Sequence, residues 1–443
     1  MTMLWIGYTT HYREGSSKFA RAAETLRAQL SRAHPNAEVR LEALTWKADF
    51  IAAMRAIRAE GARLDELHFL GHSGMYGLMF GSRKWPEQFS PHEWRALSIP
   101  FSEHATAHFH ACRTARWFAP FFARTFGVKT YGHQGYTTVS LRPNRFLFEG
   151  FRGKRQGPLY LVSVAGRKTH GLLGSARKYA LCPRAVPMLS FSPEPARGAG
   201  YDAVAQLYDR AFADIRVRRD EWRWLSTRVE EVRRDSGRAP RVLDLGCGNG
   251  ALLLELRDRI ASGVGVDSSR PMLEHAARRA ANFPELSFRA IDGPVLPFAD
   301  GEFDLVTSFL SFRYLDWDPI LGEIRRVLSP GGRLLVVDMV EQALELRDTP
   351  RFLRSAAQHL LRRAQDRSFG RALRALTRHP GWQTMLEHNP IRATHEYRFY
   401  FESRFSARKL ETLNVGWRAR LVAFDSGALQ PGPVERPLTL SYP

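Results

Sequence analysis

Two acids stand where a nucleoside would need them. The run VLDLGCGNG (242–250) is an apolar strand that carries Asp244, turns sharply at Gly246, Gly248 and Gly250, and opens a helix at Ala251. Glycine suits a turn in which the backbone must bend tightly and approach a ligand. A second strand-like run, GVGVD, ends in Asp267. Two adjacent parallel strands joined by one helix bring that acid beside the glycine turn, where a carboxylate can accept both hydroxyls of a ribose. A dinucleotide fold is one reading. The spacing is G-x-G-x-G rather than G-x-G-x-x-G, however, and an acid precedes it. That acid opposes a pyrophosphate and favours a cationic ligand.

A second pair suggests nucleophilic chemistry. LHFLGHSG (67–74) places His72 at the end of one apolar run, and HFHACRT (108–114) places Cys112 at the end of another. Neighbouring parallel strands would bring these ends together. An imidazole can then deprotonate the thiol, which attacks an acyl carbon, and protonate the leaving amine. His108, His110 and Cys112 share one strand face by period two and could present metal ligands. They lack a second ligand pair at a known zinc spacing, so no metal is expected. Cys112 as an ordinary buried cysteine and His72 as a hydrogen-bonded core residue remain open.

The elements that must position these residues alternate. Strands are expected at Met3–Tyr8, Val39–Leu44, Glu66–Leu70, Thr106–Ala111 and Val128–Tyr131, with helical patterns at Lys18–Leu30, Ala48–Ala59 and Arg116–Phe126. This order reads as a parallel sheet with crossover helices. The stretch 166–199 is rich in proline and glycine and reads as a linker. Alternation resumes with strands at Arg241–Leu245, Gly263–Asp267, Leu286–Ile291, Asp304–Ser308 and Arg333–Asp338. A helix at Ser406–Leu413 and strands at Arg418–Phe424 and Leu438–Tyr442 close the pattern. The expected layout is α/β throughout: two three-layer α/β/α domains at 1–165 and 200–443, with a helical insertion over 346–400. Arg347–Arg378 carries nine arginines against Asp348 and Asp366, read first as a solvated helical face and second as a surface for an acidic acceptor or membrane.

Composition bounds the function. The chain has 443 residues, of which 44% are hydrophobic and 25% charged, which excludes long disorder. Three cysteines cannot build a disulfide framework. No leader or bilayer-length apolar run is seen, so a cytoplasmic protein is expected. The net charge of +20 would favour acidic partners, but no nucleic-acid motif accompanies it.

Residues 200–340 resemble class I S-adenosylmethionine-dependent methyltransferases of the small-molecule type, which includes quinone C-methyltransferases. The resemblance rests on Tyr201-Asp-x-x-Ala205-x-x-Tyr208-Asp, the VLDLGCGNG loop, Asp267, Ile291-Asp292 with Leu296-Pro-Phe298, FDLVTS (303–308), and the run from Glu323 to Leu335. It implies S-adenosyl-L-methionine as cofactor, a Rossmann-like seven-stranded sheet, and cofactor contacts from Tyr201, Tyr208, Asp244, Gly246, Gly248, Asp267, Asp292 and Ser308. The sequence departs from the family after Ser308, where FLSFRY stands in place of frequent histidines. His359, His379, His388, His395, Tyr397 and Tyr400 are candidate bases near the acceptor. Residues 1–165 resemble the caspase-like cysteine peptidases (caspases, gingipains, separase and CHAT domains), on the strand-end His72 and Ala111-Cys112. Ser73 stands where that family has glycine. The resemblance implies His72 and Cys112 as catalytic residues. The two halves together imply methyl transfer to a small molecule or peptide, with the N-terminal half cleaving a peptide in the same pathway. The alternatives are a non-catalytic N-terminal interaction module and, more weakly, a nucleic-acid methyltransferase.

Overall fold

The computed structural model describes residues 2–12, 15–74, 76–148, 157–164, 179–193, 201–342, 344, 348–365, 367–388, 391–405, 407–416 and 419–429. The chain divides into two compact units, at Arg197 and Gly198.

The first unit runs β1 (Met3–Thr9), α1 (Ser16–Ala33), β2 (Glu38–Leu44), α2 (Lys47–Ala59) and β3 (Leu64–Leu70). A small antiparallel sheet of β4 (Ser73–Gly74), β5 (Gly77–Gly81) and β6 (Pro86–Gln88) follows, then α3 (Pro91–Ala96), β7 (Phe101–His110), α4 (Phe118–Phe126) and β8 (Lys129–Gly132). Strands β2, β1, β3, β7 and β8 pair in that order, all parallel. One face buries an aromatic core: Trp94 is fully buried and meets Phe50, Phe89 and Phe122 at ring distances of 5.8, 4.6 and 5.6 Å. Ser90 and Glu93 form a capping box that fixes the start of α3 and hence Trp94. The other face packs Ile6 and Leu70 against Ala22 and Ala23 of α1.

The stretch expected to be a linker is partly sheet. A second antiparallel sheet joins β9 (Thr137–Ser140), β10 (Tyr160–Val164) and β11 (Ala185–Val186), and β12 (Leu189–Phe191) pairs antiparallel with β8 at the edge of the main sheet. Short strands flanked by proline carry too little periodicity to be seen in sequence.

The second unit opens with a 3-10 turn (Tyr201–Val204), then α5 (Ala205–Phe212) and α6 (Arg219–Ser236). It continues through β13 (Arg241–Leu245), α7 (Ala251–Leu256), β14 (Ser262–Asp267), α8 (Arg270–Arg279), β15 (Leu286–Ala290), β16 (Phe303–Phe309), α9 (Trp317–Val327) and β17 (Leu328–Glu341). Next come α10 (Thr349–Gln365), α11 (Arg367–Arg378), α12 (Pro380–His388), α13 (Thr394–Arg404), β18 (Glu411–Val415) and β19 (Ala419–Asp425). The seven strands lie in the order β15-β14-β13-β16-β17-β19-β18. Among the described strands of this sheet, only β19 runs antiparallel to its neighbours, β17 and β18. Leucines of α7 and Trp224 and Leu225 of α6 cover one face, and α9 and α13 cover the other.

Two expectations fail near the end of this unit. Ser406–Leu413 is not a helix: residues 407–410 are irregular and Glu411 begins β18. The covering helix is α13, whose Tyr397, Tyr400 and Phe401 recur at helical spacing and are buried in the core. The insertion therefore ends before α13 rather than at 400. The expected strand at 438–442 lies outside the described residues. No helix among the described residues is long and apolar enough to cross a membrane.

Candidate functional sites

The glycine turn sits at the carboxyl ends of β13 and β14. Gly246 and Cys247 both donate to the Val266 carbonyl, at 2.8 and 3.0 Å, which draws the turn across onto β14. Gly246, Gly248 and Gly250 all take left-handed backbone, with φ of +73, +54 and +73°. Their surroundings differ. A Cβ on Gly246 would stand 2.4 Å from Ser311, and one on Gly250 would stand 2.8 Å from the Phe288 ring. A Cβ on Gly248 would meet nothing within 4 Å. The backbone there borders open space.

The two acids lie near the carboxyl ends of β13 and β14. Asp244 is 1% exposed, and Thr307 donates to its Oδ1 at 2.8 Å. Burial pushes this carboxyl up to about 7; the Thr307 hydrogen bond opposes the rise and the nearby Asp267 charge adds to it. Asp267 accepts the N–H groups of Gly248 and Ser269, both at 2.9 Å. Burial raises its pKa too, against the pull of those N–H donors. Two acids raised together at neighbouring strand ends suit a cationic ligand, which would favour their ionised forms.

The remaining predicted contacts fall in different places. Asp292 is exposed in the turn after β15, one residue past Ile291, which donates to the Asp267 carbonyl at 3.1 Å. Ser308 is fully buried and lies 3.3 Å from the Leu245 carbonyl and 2.7 Å from Ser311 Oγ. It ties the end of β16 to that of β13. Tyr208 packs on Phe212 at 4.8 Å, in a cluster with Leu376 of α11. The next residue, Asp209, is the one that reaches the loop, accepting from Asn249 Nδ2 at 2.8 Å. Tyr201 opens the 3-10 turn, and its side chain lies outside the described part. The same turn is tied to the site through Asp202, which accepts from Ser269 Oγ at 2.6 Å. Asp202 and Asp209 were not singled out in sequence, although both belong to the Tyr-Asp pairs quoted there.

A buried ion pair joins Arg313 to Asp338. Asp338 is fully buried near the end of β17 and accepts from the Arg313 N–H at 2.8 Å, from its guanidinium, and from Tyr397 Oη. Tyr400 donates to Asp318 at 3.0 Å. Both tyrosines therefore brace the core rather than stand ready as bases. His379 Nδ1 accepts the Gly381 N–H at 3.1 Å. The side chains of His359 and His388 lie outside the described part. Leu310, between β16 and this pair, has φ +62°, a strained conformation for a branched side chain.

In the first unit, His72 and Cys112 follow the adjacent parallel strands β3 and β7. Ser73 Oγ donates to the Cys112 carbonyl, so the two strand-end loops touch. The His72 ring lies edge-on to Phe19 at 5.1 Å and Tyr12 at 5.6 Å. Cys112 Sγ accepts the Thr137 N–H at 3.3 Å and lies 3.3 Å from the Thr137 hydroxyl. Arg113, immediately after the cysteine, has φ +58°.

Residues 242–332 match the model of the methyltransferase domain family. The C-terminal region carries a class I S-adenosylmethionine-dependent methyltransferase domain. A demethylmenaquinone methyltransferase of Thermus thermophilus is 47% identical over 102 residues, which cover 22% of this chain and 46% of that protein. A demethylmenaquinone methyltransferase of Beutenbergia cavernae is 35% identical over 157 residues, covering 34% of this chain and 62% of that protein. The chain thus spans about half the length of these relatives. The crystal structure of geranyl diphosphate C-methyltransferase from Streptomyces coelicolor, in complex with Mg2+, geranyl diphosphate and S-adenosyl-L-homocysteine, is 19% identical. It covers 46% of this chain and 78% of that one, with a TM-score of 0.27. S-adenosylmethionine is supported as the cofactor of this domain. The family model lies wholly in the second unit and leaves the peptidase reading of the first on the His72–Cys112 arrangement alone.

Proposed function

We propose that the protein transfers a methyl group from S-adenosylmethionine to a small molecule. The observation that carries this is the pair of acids, buried Asp244 and half-buried Asp267, beside a left-handed glycine turn. The residues fit the cofactor. Asp267 would take the ribose hydroxyls, Asp244 would face the cationic end, and Gly248 would let the ligand approach the backbone. The cofactor supplies a methyl group already activated by sulfonium charge, so the protein's task is alignment. The names of the relatives, demethylmenaquinone methyltransferases, favour a quinone-like acceptor over a peptide or nucleic acid. With Asp338 saturated by Arg313 and Tyr397, the described residues at that end of β17 offer no free base from these three groups. An acceptor that is already a good carbon or oxygen nucleophile suits such a site. The test is incubation of extracts with methyl-labelled cofactor and the purified chain. A labelled small molecule is expected with wild type and not with Asp244→Ala; equal labelling with both would overturn the reading.

A second activity is proposed for the first unit: peptide cleavage, with Cys112 as nucleophile and His72 as base. Its support is the placement of both at the ends of adjacent parallel strands, with touching loops. The competing role is that of a non-catalytic interaction module. A cysteine-directed acyl probe separates them. Labelling of Cys112 that disappears in His72→Ala supports cleavage, and inert Cys112 leaves the interaction module.

A further inference from the structure

One face of the first unit's sheet is crowded with imidazoles. The register pairs His68 of β3 with His108 of β7, and His108 with Tyr131 of β8. The period of two then places Glu66, His68, His108, His110 and Tyr131 on one side. The rings stack: His68 on His108 at 4.5 Å and 14°, and His108 on Tyr131 at 4.4 Å and 7°. Glu66 is the centre of the cluster. Its Oε2 lies 2.9 Å from His68 Nε2, and its Oε1 lies 3.9 Å from Nε2 of His34, at the end of α1. His68 is only 4% exposed. Glu66, His68 and His108 each turn one donor atom toward the others, all within 4.8 Å.

An apolar face would pack this sheet at lower cost than a buried row of imidazoles. A carboxylate with two imidazoles is instead a ligand set for a divalent transition ion. In a four-coordinate site with bonds of about 2.0–2.1 Å, ligand atoms stand about 3.3 Å apart. The observed spacing needs only side-chain adjustment to reach that. The surroundings are also those of a metal ligand. His68 Nδ1 lies 3.2 Å from His110 Nε2, so a His68 bound through Nε2 would donate its other N–H to His110, fixing the tautomer. Thr106 Oγ1 lies 2.9 Å from His108 Nε2 and orients that ring. A second observation points the same way. His133 is 5% exposed, its ring 6.5 Å from His110, and neither of its nitrogens has a hydrogen-bond partner among the described residues.

We propose that Glu66, His68 and His108 bind a divalent first-row transition ion, zinc foremost, on this face of the sheet. His34 is the side chain nearest to complete the shell. The site is distinct from the His72–Cys112 pair, since Cys112 Sγ is engaged by Thr137. It differs from the His108–His110–Cys112 set considered along a single strand, because the partners come from the neighbouring strand.

The full chain, stripped with chelator, tests this by Co2+ titration followed in visible absorbance and by Zn2+ retention after dialysis. About one equivalent of either ion is expected. Glu66→Gln keeps side-chain volume and should weaken binding at least tenfold, as should His108→Ala. His104→Ala, exposed on the same strand, should leave binding unchanged. Circular dichroism checks that each variant is folded. Substoichiometric metal on wild type, or unaltered binding by folded Glu66→Gln, overturns the proposal.

Discussion

Asp244→Asn separates a ligand-facing carboxylate from a structural one through pH. In the free protein this carboxyl titrates near 7, because burial disfavours its charge, with Thr307 opposing and Asp267 adding to the rise. A cationic ligand needs the ionised form. The apparent dissociation constant then scales as one plus the protonated-to-ionised ratio, which is about 11 at pH 6 and about 1.1 at pH 8. Cofactor affinity should therefore improve about tenfold, or about 1.4 kcal/mol, between pH 6 and 8. Binding at pH 6 should release about 0.9 proton to the buffer, and at pH 8 about 0.1. Titration calorimetry in two buffers of different ionisation enthalpy reads both quantities. Asp244→Asn should bind more weakly and lose this part of the pH dependence. The difference between the two proteins removes any titration of the ligand itself. The free protein gives an independent sign check. A carboxyl raised from 3.8 to about 7 keeps its proton longer when folded, so stability declines as pH rises from about 4 to 7. The asparagine variant should not show that decline. Wild-type affinity that is flat between pH 6 and 8, with no buffer-dependent heat, would refute the reasoning.

Other substitutions probe neighbouring parts. Gly246→Ala places a methyl 2.4 Å from Ser311 in a left-handed backbone, whereas Gly248→Ala meets only the backbone cost. Urea unfolding should show about 2–4 kcal/mol lost for the first and about 1 kcal/mol for the second, while Gly248→Ala should weaken cofactor binding more than its stability loss suggests. Asp304 is pulled in two directions. Burial would raise its pKa, but hydrogen bonds from Arg241 and Arg238 overrule it and hold the group well below the usual carboxylate range. Its contribution is present above about pH 4 and lost as pH falls further, so wild type should lose about 1–2 kcal/mol more on acidification than Asp304→Asn, by melting temperature. Trp94→Ala empties the aromatic core of the first unit and should cost about 3–5 kcal/mol, read as a lowered melting temperature in calorimetry.

The glycine turn was legible because its backbone demands glycine. Three glycines are needed where φ is positive, and Asp244 and Asp267 stand at strand ends that hydrophobic runs already mark. Side-chain direction was harder. The resemblance implies Tyr208 as a cofactor contact; in the structure its ring packs on Phe212, and the residue that hydrogen-bonds the glycine loop is Asp209, one position on. On a helix, a shift of one residue rotates a side chain by about 100°. Ser308 comes from the family resemblance as a cofactor contact, and the structure adds hydrogen bonds of its hydroxyl with the Leu245 carbonyl and Ser311 that no sequence pattern signals. Ser406–Leu413 read as helix because arginine, lysine and leucine favour one, while pairing with β19 extends Glu411–Val415 as a strand. The Glu66–His68–His108 cluster was invisible for a different reason. Its members come from two strands, and only their register brings His68 level with His108.

The short strand β12 carries a practical consequence. Leu189–Phe191 supplies the last hydrogen-bonded row beside β8, more than twenty residues past the point where composition suggested the domain should end. A fragment trimmed at residue 165 would strip that row away and bare the N–H and C=O groups of Thr130–Gly132. Such an edge recruits strands from other molecules. Precipitation of that fragment would reflect where it was cut and would say little about whether the first unit folds alone; the informative cut lies at Arg197.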